Sequence, residues 1–121
     1  IDVSPQLMDF TQAWFTRRSI EGQAYAADIT AMTEFPKADT VFLFKATDVL
    51  ERVRYGFGDE LLDKLVAEQG RRVIVSFATA TISGTRKIKL SKRAWVERWA
   101  EKNSKSCRIH DTLGERYYIL E

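Results

Sequence analysis

The apolar positions of this chain change period along its length, and the changes mark its elements. Ser4-Pro5 is a helix cap followed by proline at the first helical position. Leu7, Phe10 and Trp14 then recur at helical spacing, with Met8 and Phe15 beside them, which predicts an amphipathic helix to about Arg18. Gly22 interrupts the pattern. Tyr25, Ile29 and Met32 restore a helical spacing that Pro36 ends, so the expectation is either one long kinked helix or two helices. The run Thr40-Val41-Phe42-Leu43-Phe44 is short, β-branched and aromatic, and is read as a buried strand. A helix capped by Thr47 follows, with Ala46, Val49, Leu50 and Val53 on one face. Gly56-Phe57-Gly58 breaks it. Asp59 and Glu60 open another helix, whose Leu61, Leu62, Leu65 and Val66 point inward and which Gly70 ends.

From Val73 the period falls to two. Val73, Val75, Phe77, Thr79 and Thr81 alternate with Ile74, Ser76, Ala78, Ala80 and Ile82, and with both faces apolar or small the strand belongs inside a sheet. Ser83-Gly84 supplies a turn, and Thr85 to Leu90 returns as a second strand with Ile88, Leu90 and Arg86 on one face and Thr85, Lys87 and Lys89 on the other. Ser91 caps a helix from Lys92 to about Asn103. Cys107 to His110 and Glu115 to Leu120 form a hairpin around Asp111-Thr112-Leu113-Gly114. The alternation of strand and helix is too sparse for a parallel α/β sheet. The expected fold is α+β: N-terminal helices packed on a largely antiparallel sheet, with one further helix and a C-terminal β-hairpin, in a single domain spanning residues 1–121.

Composition narrows the class. With 121 residues, 45% hydrophobic and 30% charged, the chain has the profile of an ordinary globular domain. One cysteine excludes an intrachain disulfide and fits a reducing, cytoplasmic setting. No apolar run is long enough for a membrane helix. The chain begins at Ile1 instead of methionine, as a processed or excised piece of a longer protein would.

The chemistry leans away from an enzyme, which stays the third reading, one using carboxylates or a cavity between helices and sheet. The single His110 and the single Cys107 lie three residues apart on a strand and so face opposite ways. They cannot form a nucleophilic dyad or a zinc site, and no metal or cofactor is expected. Asp59, Glu60 and Asp63 sit near a helix start, where acids suit the dipole. Gly56-Phe57-Gly58 lacks the third glycine and the lysine of a phosphate loop and is read as a plain loop.

Charge divides the molecule where composition hides it. Residues 71 to 108 carry eleven basic residues against two acids, a local charge of +9, while the total is only +2. The densest part is Arg86-Lys87-Ile88-Lys89-Leu90-Ser91-Lys92-Arg93. Folding alone gives no reason for five cations at a strand-to-helix junction, and two of them would oppose the helix dipole unless an external phosphate sat there. The expected function is a nucleic-acid-binding module that contacts phosphate through Arg86, Lys87, Lys89, Lys92 and Arg93, joined by Arg71, Arg72 and Arg108, with DNA and RNA both open. The alternative is a protein-interaction module for an acidic protein partner. Internal docking of the basic stretch on the acidic first 70 residues competes with both. Trp95, Trp99 and Phe77 are assigned to the core, leaving one of Tyr117 and Tyr118 as a stacking surface.

Overall fold

The structure, a computed structural model, describes residues 1–67, 70–81, 83, 86–89 and 94–121. Two units emerge, Ile1–Pro36 and Lys37–Glu121. In the first, α1 spans Pro5–Arg17 and starts as the sequence dictates: the Ser4 hydroxyl accepts the Leu7 N–H at 3.3 Å and Pro5 occupies the first turn. Its apolar stripe is not buried. Met8 is covered, but Leu7, Phe10 and Trp14 are exposed. The helical spacing of Tyr25, Ile29 and Met32 does not produce a helix. The Asp28 carboxylate takes both the N–H and the hydroxyl of Thr30, at 2.9 and 2.7 Å, and such a local turn competes with helix formation. Ala24 N–H is drawn instead to the Gln12 side chain at 2.9 Å. A parallel bridge joins Asp2 to Ala26.

The second unit is a four-stranded mixed sheet with three helices among the described residues. β1 (Thr40–Phe44), β2 (Arg72–Ala78), β3 (Cys107–Thr112) and β4 (Glu115–Leu120) stand in the order β1-β2-β4-β3. β1 runs parallel to β2, and the two pairings that involve β4 are antiparallel. The α+β class and the C-terminal hairpin are as expected, with Gly114 at φ +86° in the turn. The sheet is mixed because the connection from β1 to β2 passes through α2 (Thr47–Val53) and α3 (Phe57–Val66), long enough to bring the chain back in the same direction.

One face of the sheet is the core. Val73, Val75 and Phe77 alternate inward on β2, Tyr118 and Leu120 on β4, and all five are buried. They meet α3, whose Leu61, Leu62, Leu65 and Val66 are buried, and α4 (Trp95–Lys102), whose Val96, Trp99 and Ala100 are buried. Phe77 makes edge-to-face contacts with Trp95 and Tyr118, with ring centroids 6.4 and 5.7 Å apart. The Trp99 indole N–H donates to Asp63 at 2.8 Å, which accounts for that acid structurally.

Two local expectations are corrected. Thr47 does not cap α2: Ala46 holds that position, and Val49 and Val53 are exposed while Leu50 alone of the predicted face is buried within the helix. Gly56-Phe57-Gly58 is a helix entry more than a loop. Gly56 takes φ +80° before α3, and the Glu51 carboxylate on α2 caps it by accepting the N–H groups of Gly56 and Gly58 at 3.0 and 2.6 Å. A Cβ on Gly58 would lie 2.7 Å from the Trp95 ring and 2.8 Å from Glu51. Gly58→Ala is therefore expected to destabilise the unit by about 1–3 kcal/mol, measured by chemical denaturation.

Candidate functional site

β1 and β2 end side by side, and their carboxyl ends carry the features that the core does not need. In open sheets with parallel strands, ligands bind outside this edge. The residue after β1 is Lys45, which has φ +54°, a left-handed conformation that a non-glycine residue holds only where its surroundings impose it. Its N–H donates toward the carbonyl and the hydroxyl of Ser76, at 3.2 and 3.3 Å. Its ammonium pairs with Glu115 at the start of β4, at 3.3 Å. Ser76 is fully buried. Its hydroxyl, and then the Lys45 ammonium, hold the Glu115 carboxyl below the ordinary range. Two residues on, the Thr47 hydroxyl is buried without a hydrogen-bond partner among the described residues.

The basic segment leaves the same edge. Beyond β2, Thr81 N–H bonds to Arg86 O, Ile88 N–H bonds to Thr79 O, and Ala80 bridges Lys87. Ala78, Ala80, Thr81, Ser83 and Ile88 line an open hollow there. The predicted full strand from Thr85 to Leu90 is, in its described part, a single bridge, with Ile88 half-buried. Arg86, Lys87 and Lys89 are exposed. No ion pair joins these three to acidic groups among the described residues. Lys92 and Arg93 lie outside the described residues, as do Gly84, Leu90 and Ser91 of the predicted turn, strand and helix cap. α4 is described from Trp95.

The other three predicted cations stand elsewhere. Arg72 and Arg108 both pair with Glu121, at the opposite end of β2 from Arg86, roughly 20 Å away along seven residues of strand. Arg71 is buried, with its guanidinium donating to Ala38 O at 3.0 Å and Leu65 O at 3.4 Å. It ties the end of α3 to the approach to β1 and presents no charge to a ligand. The six of these cations that are described therefore do not form one surface. Residues that sequence reasoning passed over, Lys45, Thr47, Ser76 and Glu115, share the carboxyl edge with Arg86, Lys87 and Lys89. Only the position of Lys45 directly after an apolar strand marked it in the sequence.

The hairpin is held by carboxylates. Arg116 grips Asp111 with two bonds of 2.7 Å, which holds the Asp111 carboxyl below its usual range. Glu121 is likewise lowered, first by Arg72 and then by Arg108. Groups depressed in the folded state contribute stability above their ordinary pKa and lose it as pH falls through the folded value. Stability is thus expected to fall as pH drops from about 5 to 3. Asp111→Asn should flatten the fall, read from denaturation midpoints against pH. Burial, and then Glu97, raise the Cys107 thiol, opposite to what a nucleophile needs.

The class follows from fold first. The chain is similar to three solved structures: an rRNA methylase from Escherichia coli (18% identity, TM-score 0.68), the 16S rRNA methylase RmtB (22%, 0.62), and the 16S rRNA methyltransferase RmtF in complex with S-adenosyl-L-homocysteine (25%, 0.68). They cover 95%, 93% and 96% of this chain, while it spans 44%, 42% and 43% of theirs. No curated protein sequence matches. The description "Ribosomal RNA methyltransferase (FmrO)" matches residues 1–109, and the chain belongs to that family. By its description it is a family of enzymes, of which the search for dyads and metal ligands gave no sign. No helix among the described residues is long and apolar enough to cross a membrane.

Proposed function

We infer that this chain is part of a methyltransferase that acts on ribosomal RNA, and that the carboxyl edge of β1 and β2 faces the RNA. The observation that carries this reading is the departure of the segment carrying the exposed Arg86, Lys87 and Lys89 from the same strand ends that hold the left-handed Lys45 and the Thr47 hydroxyl, which has no hydrogen-bond partner among the described residues. Phosphates of the RNA are contacted by Arg86, Lys87 and Lys89, with Lys92 and Arg93 following in sequence. Arg72 and Arg108, paired with Glu121 at the far end, are left as structural.

The methyl donor would be S-adenosylmethionine, whose spent form accompanies RmtF. Residues of the first unit suit its nucleoside part. Asp2 and Asp28 stand at and just after the two segments joined by the Asp2–Ala26 bridge. Each commits Oδ1 to the N–H two residues on, of Ser4 and Thr30 respectively. Oδ2 of each can accept from a ribose diol, the role an acid at a strand end has in dinucleotide folds. The donor supplies an electrophilic methyl group.

The test is methyl transfer from labelled S-adenosylmethionine to ribosomal RNA, by the protein at its natural length, together with the salt dependence of RNA binding. Log affinity is expected to fall linearly with log salt concentration. Absence of transfer to any ribosomal RNA substrate, naked or assembled, sinks the enzymatic reading. Salt-independent binding sinks the phosphate contacts.

A further inference from the structure

The helices of the Lys37–Glu121 unit enclose a cleft of about 520 Å³, within the size range of small-molecule sites. None of its lining residues belongs to a strand. α2 and the start of α3 contribute Asp48, Glu51, Arg52 and Asp59, and α4 contributes Trp95, Arg98 and Lys102. Three carboxylates and three cations cancel, so the cleft has no net charge with which to hold a lone phosphate or a lone cation. Its two sides nevertheless differ in sign: acids predominate on α2 and α3, and α4 brings only cations.

These charges are not all spent on the fold. Glu51 accepts the N–H groups of Gly56 and Gly58. Asp59 is different. The Lys102 ammonium and the Arg98 guanidinium act on its carboxylate through space, and neither closes a salt bridge with it among the described residues. Partial burial, and then the charge of Glu51, push the Asp59 carboxyl up from its ordinary value. A hydrogen-bond donor brought to Asp59 would relieve a group that the fold leaves poorly solvated.

Aromatic surface completes the cleft. Tyr55 lines it with 95% of the residue exposed, between the extended Arg54 and the left-handed Gly56, and folding gives no reason for a ring there. The half-buried Trp95 meets Phe77 edge to face and also lines the cleft. A flat, neutral ligand with donors at one end and acceptors at the other suits these walls, and an unpaired nucleobase is such a ligand. Trp95 follows Lys89 by six residues, a reach of at most about 22 Å. An RNA strand whose phosphate rests on Lys89 can therefore lay a nearby base in the cleft.

We propose that the cleft between α2, α3 and α4 is a subsite for an unpaired cytosine or guanine of the RNA, other than the methylated nucleotide, stacked on Tyr55 with its exocyclic amine on Asp59 and its carbonyl on Arg98 or Lys102. Both bases carry an amine at one end of the Watson–Crick edge and a carbonyl at the other, whereas uracil carries no amine. The proposal rests on the methyltransferase reading for the presence of RNA, and it adds a contact on the helix layer, apart from the strand ends.

Three end-labelled heptaribonucleotides, uridine throughout except for a central cytidine, guanosine or uridine, test the subsite by fluorescence anisotropy on the protein at its natural length. The cytidine or the guanosine strand is expected to bind at least about fivefold more tightly than the uridine strand. Asp59→Ala, at an exposed position, should bring the preferred strand down to the uridine value. Tyr55→Ala should weaken the preferred strand by about fivefold or more, with the circular dichroism and the salt slope unchanged. Equal binding of the three strands overturns the proposal, as does no measurable binding or a preference that survives Asp59→Ala. Methyl transfer to ribosomal RNA with equal strand binding removes the subsite and keeps the methyltransferase reading. A preference lost in Asp59→Ala, without transfer, does the reverse.

Discussion

Replacing Arg86, Lys87 and Lys89 together with glutamine is expected to weaken ribosomal RNA binding about 100-fold at moderate salt, while leaving the fold intact. The three side chains are exposed and unpaired with acids among the described residues, so their loss strands no partner and opens no cavity. In the proposed function their contribution is to release counterions from phosphate. The slope of log affinity against log salt should therefore flatten by about 0.7–0.9 per lost contact, or roughly two to three units for the triple variant. Filter binding across a salt series measures both quantities, and circular dichroism checks the fold. An unchanged slope would remove these residues from the interface. Arg71→Leu is the counter-experiment. Its guanidinium is buried against the carbonyls of Ala38 and Leu65, so the variant is expected to lose about 1–3 kcal/mol of stability, because those carbonyls lose their donors. The salt slope of its RNA binding should stay as it was.

Phe77→Ala is expected to cost about 3–5 kcal/mol. The ring is 1% exposed, at the middle of the core face, and meets Trp95 and Tyr118 edge to face. These two neighbours belong to different elements, α4 and β4, so neither can move in to fill the space without leaving its own partners. Against a typical domain stability of about 5–15 kcal/mol, the variant should unfold at markedly lower denaturant in equilibrium titrations. A loss below about 1 kcal/mol would mean that the core repacks around the gap. RNA binding measured below the unfolding transition should be preserved, which separates this variant from the basic triple.

How far the sequence could be read depended on whether the deciding interactions were local. α1 was readable because Ser4 and Pro5 act within one turn. β1 and β4 were readable to the residue, since short alternating runs bounded by Lys45, Gly114 and Asp39 leave little choice of limits. The false helix over Tyr25 to Met32 shows the limit. Apolar spacing was right, but the Asp28 side chain offered the Thr30 N–H a competing partner. Val49 and Val53 failed similarly: a helical face was present, and nothing in the described structure covers it. The basic junction stood out as a charge density, but the carboxyl-edge residues Lys45, Ser76 and Glu115, 31 and 39 residues apart along the chain, carry no common motif.

The sequence by itself determined the α+β class, most of the core residues and the local charge of +9, because period, capping and composition act over a few residues at a time. Only the tertiary structure decided where those cations stand. Parallel pairing of β1 with β2 set their carboxyl ends together and carried Arg86, Lys87 and Lys89 to that edge. The same packing buried Arg71 and spent Arg72 and Arg108 on Glu121. Equal charges in one stretch of chain were given unequal roles because burial and ion pairing depend on which distant residue arrives beside each, and strand order settles that.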